Sequence, residues 1–595
     1  SIMNDHATSF LFGVEQSVSG ASWIAPKKAK ENLKDLFKQE FDLTEVMSEL
    51  LINRNFNIEE LSDFFDPKIK NLMPDPLVLK DMDETINRLL KAILDKETIG
   101  IFGDYDVDGA CSSAIIYSYL IKLGCKVEVH IPDRFTEGYG PNTQALIKLK
   151  EKGCNLIITV DCGITAFEPL KKANEENIDI IIIDHHITEP NLPEAYSIIN
   201  PNRFDEESKL GYLSAAGVCF LTLVALDRKL RENNIKSNVD LKLYLDLVAL
   251  ATICDVVPLR FLNRAFVSTG LKVMGWRQNH GLKALFDLSN LREIPNEQNL
   301  GYIIGPRINA AGRLGNSSLG VELLCCNSEV EASVIANKLN QLNEKRKDIQ
   351  NSVLESAIDK LNKVDISNKN VIVLADTEWH EGVIGIVAGR IKDRFHKPSI
   401  IISINKDGIG KGSSRSVSGF DIGSAIIAAQ QNGILLSGGG HAMAAGLTVE
   451  QQKLEELDNF LNERFIKSIK PSVRLKDYKI EADINLGAAN KKLVEEFRKI
   501  APFGSENSEP IIAISKIRIK NFRSVGKEGK HFSFIASDES GDTLNCIAFN
   551  VAGSPLGDAI KIASNGPLLH LIGYLRENSF NSQPQLTVID CYLIN

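Results

Sequence analysis

No stretch of this chain approaches the ~20 consecutive apolar residues that a membrane-crossing helix requires, and its N-terminus lacks the charged-then-apolar pattern of a secretory signal. Those two absences set the expectation of a cytoplasmic protein with no membrane partner. The ten cysteines include no Cys-x-x-Cys pair, and adjacent Cys325 and Cys326 have a spacing unsuited to structural zinc or to an ordinary disulfide. Reduced thiols are therefore expected, with oxygen and nitrogen rather than sulfur as the ligands of any metal. Internal repeats and low-complexity tracts are missing, so nothing points to a solenoid or an extended disordered region. An excess of positive charge is missing too: the net charge is −9. That argues against coating nucleic acid by bulk attraction, yet it leaves room for a local basic channel, because phosphates respond to nearby charge more than to the total.

What is present is ordinary globular material: 595 residues, 44% hydrophobic and 24% charged, too long for one core and expected to form three or four domains. Apolar residues recur at helical spacing through Ile86, Leu89, Leu90, Ile93 and Leu94. The pattern then alternates: strand 98–102, helix 112–123, strand 126–131, helix 142–152, strand 156–160 and, after another helix, a run of isoleucines over 178–183. Such alternation predicts a parallel sheet with helices on both faces. Asp104, Asp161 and Asp184-His185-His186 each follow a predicted buried strand, and the carboxyl ends of such strands form the ligand-binding edge of an open α/β sheet.

Asp104-x-Asp106-x-Asp108-Gly could be a calcium loop, but the twelfth position is Ile115 rather than a bidentate Glu; solvated loop acids are the other plain reading. Val160-Asp161-Cys162-Gly163 could be a helix cap. Two adjacent imidazoles beside Asp184 are harder to explain as core. Asp255, within Ala251-Thr252-Ile253-Cys254-Asp255-Val256-Val257-Pro258-Leu259, is an acid in apolar surroundings that needs a partner or a metal. Together they describe a dinuclear site, in which two divalent ions ~3.5–4 Å apart activate water and neutralise a phosphate, held by carboxylates with imidazole for a borderline ion.

This series resembles the four motifs of the DHH phosphoesterases. The likeness continues through Gly305-Pro306-Arg307-Ile308-Asn309-Ala310-Ala311-Gly312-Arg313, His380-Glu381-Gly382-Val383-Ile384-Gly385, Ser413-Ser414-Arg415 and Gly438-Gly439-Gly440-His441, which are similar to RecJ-type exonucleases and their DHH-associated domain. The resemblance implies that Asp104, Asp106 and Asp161 hold one metal and that Asp108, Asp161, His185 and Asp255 hold the second. Asp161 then bridges, His186 faces the phosphate, and the ions are Mn²⁺ or Mg²⁺. Many relatives carry a metal-binding His where this chain has Phe102; Asp104 is the natural substitute.

Around that core, Arg307, Asn309 and Arg313 could bind phosphate oxygens, and His380, Arg390, Ser414, Arg415 and His441 lie beside glycines that let a backbone approach a ligand. A charged helical pattern from Glu329 to Leu361 spans ~50 Å if continuous. The last ~120 residues read as a small β-barrel, in which alternation sets Lys516, Arg518 and Lys520 on one strand face; these three with Arg523 could form a single-strand groove. The expected domains are a lead-in (1–75), a DHH catalytic domain (76–328), a connecting helix (329–362), a DHH-associated domain (363–468) and an OB-fold (469–595). The resemblance implies a 5′-to-3′ exonuclease that degrades single-stranded DNA to 5′-mononucleotides in recombination and repair. It also implies single-strand-binding protein and a helicase as partners, with the chain itself a monomer. Two other readings stay open: a phosphodiesterase for small nucleotides or short oligoribonucleotides, and an inactive single-strand-binding scaffold.

Overall fold

A computed structural model describes residues 9–468 and 476–595; the boundary expected at 469 touches 469–475, outside the described residues. The chain divides into two compact units, one made of Asp66–Ser352 with Pro502–Asn507, the other of residues up to Phe65, Val353–Ala501 and Ser508–Asn595.

In the first unit five strands form one sheet: β1 (Thr98–Phe102), β2 (Val127–His130), β3 (Cys154–Val160), β4 (Asp179–Ile183) and β5 (Ser197–Ile199). Their order is β2-β1-β3-β4-β5 and every pairing is parallel. A sheet covered on both faces needs apolar side chains on both, and alternate residues of the same strands do feed two cores. Ile99, Ile101, Ile158 and Ile181 pack with the helices Met82–Leu94, Val107–Lys122 and Ala215–Glu232. Phe102, Ile157, Ile180 and Ile182 pack with Thr143–Glu151 and Phe167–Glu175 on the other side.

The helix after β1 begins at Val107, five residues before the 112 expected from periodicity, because the Asp106 carboxylate caps it by accepting from Gly109 N. The last acid of the motif, Asp108, is therefore helical. Gly109 is required there: a Cβ would lie 2.5 Å from the Asp104 carbonyl oxygen.

In the second unit a mixed sheet runs Ser437–Gly440, Ala444–Glu450, Ile409–Arg415, Ser399–Ile404, Ile372–Asp376 in spatial order. Its glycines serve packing: a Cβ on Gly412 would meet the Leu447 side chain at 2.7 Å. A closed barrel follows. Ile512–Val525 pairs with both His531–Ser537 and Leu569–Glu577, Thr543–Ala548 runs parallel to Pro584–Leu593, and the helix Pro555–Ala563 sits between the third and fourth strands. The N-terminal residues expected as a lead-in are built into this unit. Ser22–Ile24 pairs with Asp477–Lys479, Trp23 Nε1 donates to buried Asp590 at 3.0 Å, and Thr44 donates to Glu496 through both N and Oγ1. The helix Glu329–Asn362 is continuous over 34 residues. Among the described residues no helix is long and apolar enough to cross a membrane.

Candidate metal centre

All four acidic motifs meet at the carboxyl edge of the parallel sheet. Asp104 lies two residues beyond β1, Asp161 directly after β3, and Asp184 directly after β4. The backbone N–H groups of Asp161 and Asp184 still bond to the neighbouring strands, at Ile183 and Ile199. Asp255 arrives from elsewhere, as the C-terminal cap of the apolar helix Leu245–Cys254, where the helix dipole disfavours a carboxylate. Asp161 and the β-branched Val256 both have positive φ, 59° and 55°, a strained conformation of the kind that collects at functional sites.

His185 Nε2 stands 3.2 Å from Asp161 Oδ1, 3.3 Å from Asp255 Oδ2 and 3.4 Å from Asp108 Oδ2. Yet neither it nor either oxygen of Asp161, which is 1% exposed, has a hydrogen-bond partner. Buried charged groups are normally satisfied. Three sets of ligand atoms each lie within 4.8 Å of one another: Asp104, Asp106 and Asp161; Asp108, His185 and Asp255; Asp161, His185 and His186.

Burial, followed by repulsion from Asp106, pushes the Asp104 carboxyl well above the usual carboxylate range. Burial and then Asp108 do the same to Asp161, and Asp255 is pushed up to about 9 by burial, Asp108 and Asp106. Asp108 is raised as well, by burial, against the pull of His185. So many carboxylates can share one low-dielectric site in charged form only with cations among them. Oxygen donors with imidazole suit Mn²⁺ or Mg²⁺, so the donor set and the unpartnered buried atoms fit divalent ions.

Two acids also accept hydrogen bonds from the chain. Asp108 accepts from Ala215 N and Ala216 N, both at 2.9 Å, and so holds the start of the Ala215–Glu232 helix. Asp184 accepts from His186 Nδ1 at 2.5 Å and from the backbone N–H groups of His185 and His186. Burial penalises the Asp184 charge most, but these bonds, led by His186, take its carboxyl below the usual range. The same pair carries the His186 imidazole up to about 9 against its own burial.

Comparison with known proteins agrees with this arrangement. The chain matches the DHH family N-terminal domain over residues 98–252, the DHHA1 domain over 368–467 and the RecJ OB domain over 480–590. It is 32% identical over 573 residues to the single-stranded-DNA-specific exonuclease RecJ of Bacillus subtilis (strain 168), covering 96% of this chain and 70% of that one. With the Escherichia coli (strain K12) enzyme of the same name it is 34% identical over 489 residues, 80% of this chain and 84% of that one. The chain belongs to the RecJ family. A crystal structure of RecJ from Thermus thermophilus in complex with Mn²⁺ superposes with a TM-score of 0.79 at 26% identity, covering 96% of this chain and 80% of that chain.

RecJ-family membership directs attention to the remaining candidates. Arg307, in the helix Gly305–Arg313, donates through Nε to Asn340 and through Nη1 to Ile303 O. The end of that helix lies against the acidic loop, where Gly312 packs on Tyr105; Asn309 is half-buried and Arg313 acts electrostatically on the Tyr105 hydroxyl. Phe102 is fully buried, its ring 5.3 Å from that of His130. In the other unit, Arg390 and His441 are exposed, His380 accepts from Gly382 N, and the Arg415 guanidinium covers Gly385 at a helix start. Ser414 is a correction: strand alternation turns it inward, fully buried, with its hydroxyl donating to Ala445 O. Ser413 instead faces out beside Arg415 Nη1 at 3.0 Å. On the barrel, Lys516, Arg518, Lys520 and Arg523 are exposed while Ile517 and Ile519 are buried, and Phe532 and Phe534 are core.

Sequence reading missed two residues that fix the histidine loop and one that holds the Asp161 backbone. Asn200 donates to His186 O, Asn202 donates to His185 O, and the Tyr139 hydroxyl donates to Asp161 O. Asn200 directly follows β5, a fourth strand end on the same edge, with Asn202 two residues beyond, and that was the available signal.

Proposed function

We propose that this chain is a metal-dependent exonuclease that degrades single-stranded DNA from the 5′ end to 5′-mononucleotides, as its RecJ-family relatives' name indicates for the strand. The observation that carries the reading is Asp161, buried with both oxygens unpartnered beside an equally unpartnered His185 Nε2. Two divalent ions, Mn²⁺ or Mg²⁺, would, when bound, activate water and neutralise charge at the scissile phosphate. Asp104, Asp106 and Asp161 would hold one ion, and Asp108, Asp161, His185 and Asp255 would hold the other. His186, kept protonated by Asp184, donates to a phosphate oxygen and so stabilises negative charge that grows as water attacks. The Asn200 and Asn202 side chains hold the two histidine carbonyls and thereby the imidazole directions.

Residues 76–328 carry the reaction and 329–362 form the connecting helix. Arg307, Asn309, Arg313, His380, Arg390, Arg415 and His441 contact the strand, and Lys516, Arg518, Lys520 and Arg523 give the barrel a basic face for its backbone. The protein works as a cytoplasmic monomer alongside single-strand-binding protein and a helicase. The test is digestion of a long single strand, labelled at either end, with Mn²⁺ or Mg²⁺ and an Asp161→Ala control. Metal-dependent loss of 5′-terminal mononucleotides, abolished in the variant, supports the reading. Cleavage confined to dinucleotides or very short oligomers replaces it with a small-substrate phosphodiesterase, and binding without cleavage with a scaffold.

A further inference from the structure

The helix Leu245–Cys254, which delivers Asp255 to the metal centre, opens at its other end onto a cavity of about 310 Å³. Nine residues of helical rise put that cavity about 14 Å from Asp255. Its lining includes Lys122, Tyr244, Asp246 and His280. Tyr244 is 7% exposed and its hydroxyl has no hydrogen-bond partner; His280 Nδ1 is likewise buried and unpartnered. Asp246 is 3% exposed, and Leu247 N engages its Oδ1 at 2.6 Å. Among the described residues no cation forms an ion pair with it. Lys122, at the exposed rim, places its ammonium 5.3 Å from the centre of the Tyr244 ring. Two buried polar groups left unsatisfied around one cavity are costly in a native fold, and a ligand that satisfies them is the economical account.

The polarity of the cavity selects the ligand. An acid on the floor calls for N–H donors, an aromatic wall for a planar or apolar body, and a lysine at the rim for an anionic end. The volume falls at the lower limit of small-molecule sites and exceeds what a free amino acid fills. A carboxylate presents two acceptors side by side, which match paired N–H donors in bidentate fashion. Among nucleobases guanine offers such a pair, its ring N–H and exocyclic amine. We propose that this cavity is a binding site for a guanine nucleotide, with Asp246 reading the base edge, Tyr244 and His280 completing its hydrogen bonds, and Lys122 meeting the phosphate. Burial pushes the Asp246 carboxyl up to about 7, so paired donors are also what keep it ionised. The site does not depend on the nuclease reading, since its evidence and its test are binding alone.

The experiment is isothermal titration of the full chain, in chelator to silence the metal centre, with GMP, AMP, CMP and XMP, for wild type and Asp246→Asn. Wild type should bind GMP at least tenfold more tightly than AMP or CMP. Asp246→Asn should lose at least tenfold toward GMP and gain affinity for XMP. In xanthine a carbonyl replaces the exocyclic amine, which turns the donor pair into the donor and acceptor that an amide matches. This gain cannot come from misfolding. Equal binding of all four nucleotides, binding of none, or an Asn variant with unchanged preference overturns the proposal.

Discussion

Asp161→Gly should abolish hydrolysis and yet make the metal-free protein more stable. The wild-type carboxylate is buried with neither oxygen bonded, among three other raised carboxyls. Each unsatisfied buried acceptor costs about 1–3 kcal/mol, so removing both relieves roughly 2–6 kcal/mol. Against that stands about 1 kcal/mol of added backbone entropy in the unfolded chain. Glycine adds no strain, because φ at this position is already 59°. A net gain of about 1–5 kcal/mol raises the melting temperature of a unit this large by roughly 2–15 °C. Scanning calorimetry in chelator, reading the transition of the unit that holds the centre, measures it. Saturating Mn²⁺ should reverse the ranking, stabilising wild type by mass action and leaving the variant nearly unmoved. A variant that melts below wild type in chelator would show that Asp161 is satisfied in the folded state, and would remove the argument for ions at this position.

Asp108→Asn should do the opposite without metal, losing about 1–3 kcal/mol in urea titration, because its amide nitrogen would face a backbone N–H where both carboxylate oxygens now accept. Asn202→Ala should lower the turnover number about 10–100-fold with little change in KM, since it frees the His185 carbonyl; a pure KM effect would contradict the positioning role. Trp23→Phe should cost the second unit about 1–3 kcal/mol by stranding the buried Asp590 carboxylate, seen as a lower urea midpoint. His570 is held down to about 4, chiefly by burial and then by Lys516, in a stack 4.5 Å from Phe12. A depressed imidazole contributes stability that is complete above its unfolded value of about 6.5 and is lost as pH falls toward 4. Allowing for residual solvent, acid denaturation should show a loss on the order of 2 kcal/mol across that window, absent in His570→Gln.

Much of this molecule is legible along the chain. The isoleucine run of β4, the strand-helix alternation and the acids placed directly after strands follow from residues near one another in sequence, because period and composition are local properties. The lysine face of the barrel came out of the same period-two reasoning. What the tertiary structure alone decided is who pairs with whom. Asp104, Asp106 and Asp108 look equivalent in sequence, yet one helix N-terminus more than 100 residues away claims both oxygens of Asp108. Asp161, meanwhile, is left with neither carboxylate oxygen bonded. Ser414 and Ser413 exchange roles by one step of strand register, and the N-terminal residues pack against a barrel that begins hundreds of residues later. A carboxylate's chemistry depends on burial and on the donors that reach it, and both are set by segments distant in the chain, which is why the site could be located from sequence while its division of labour could not.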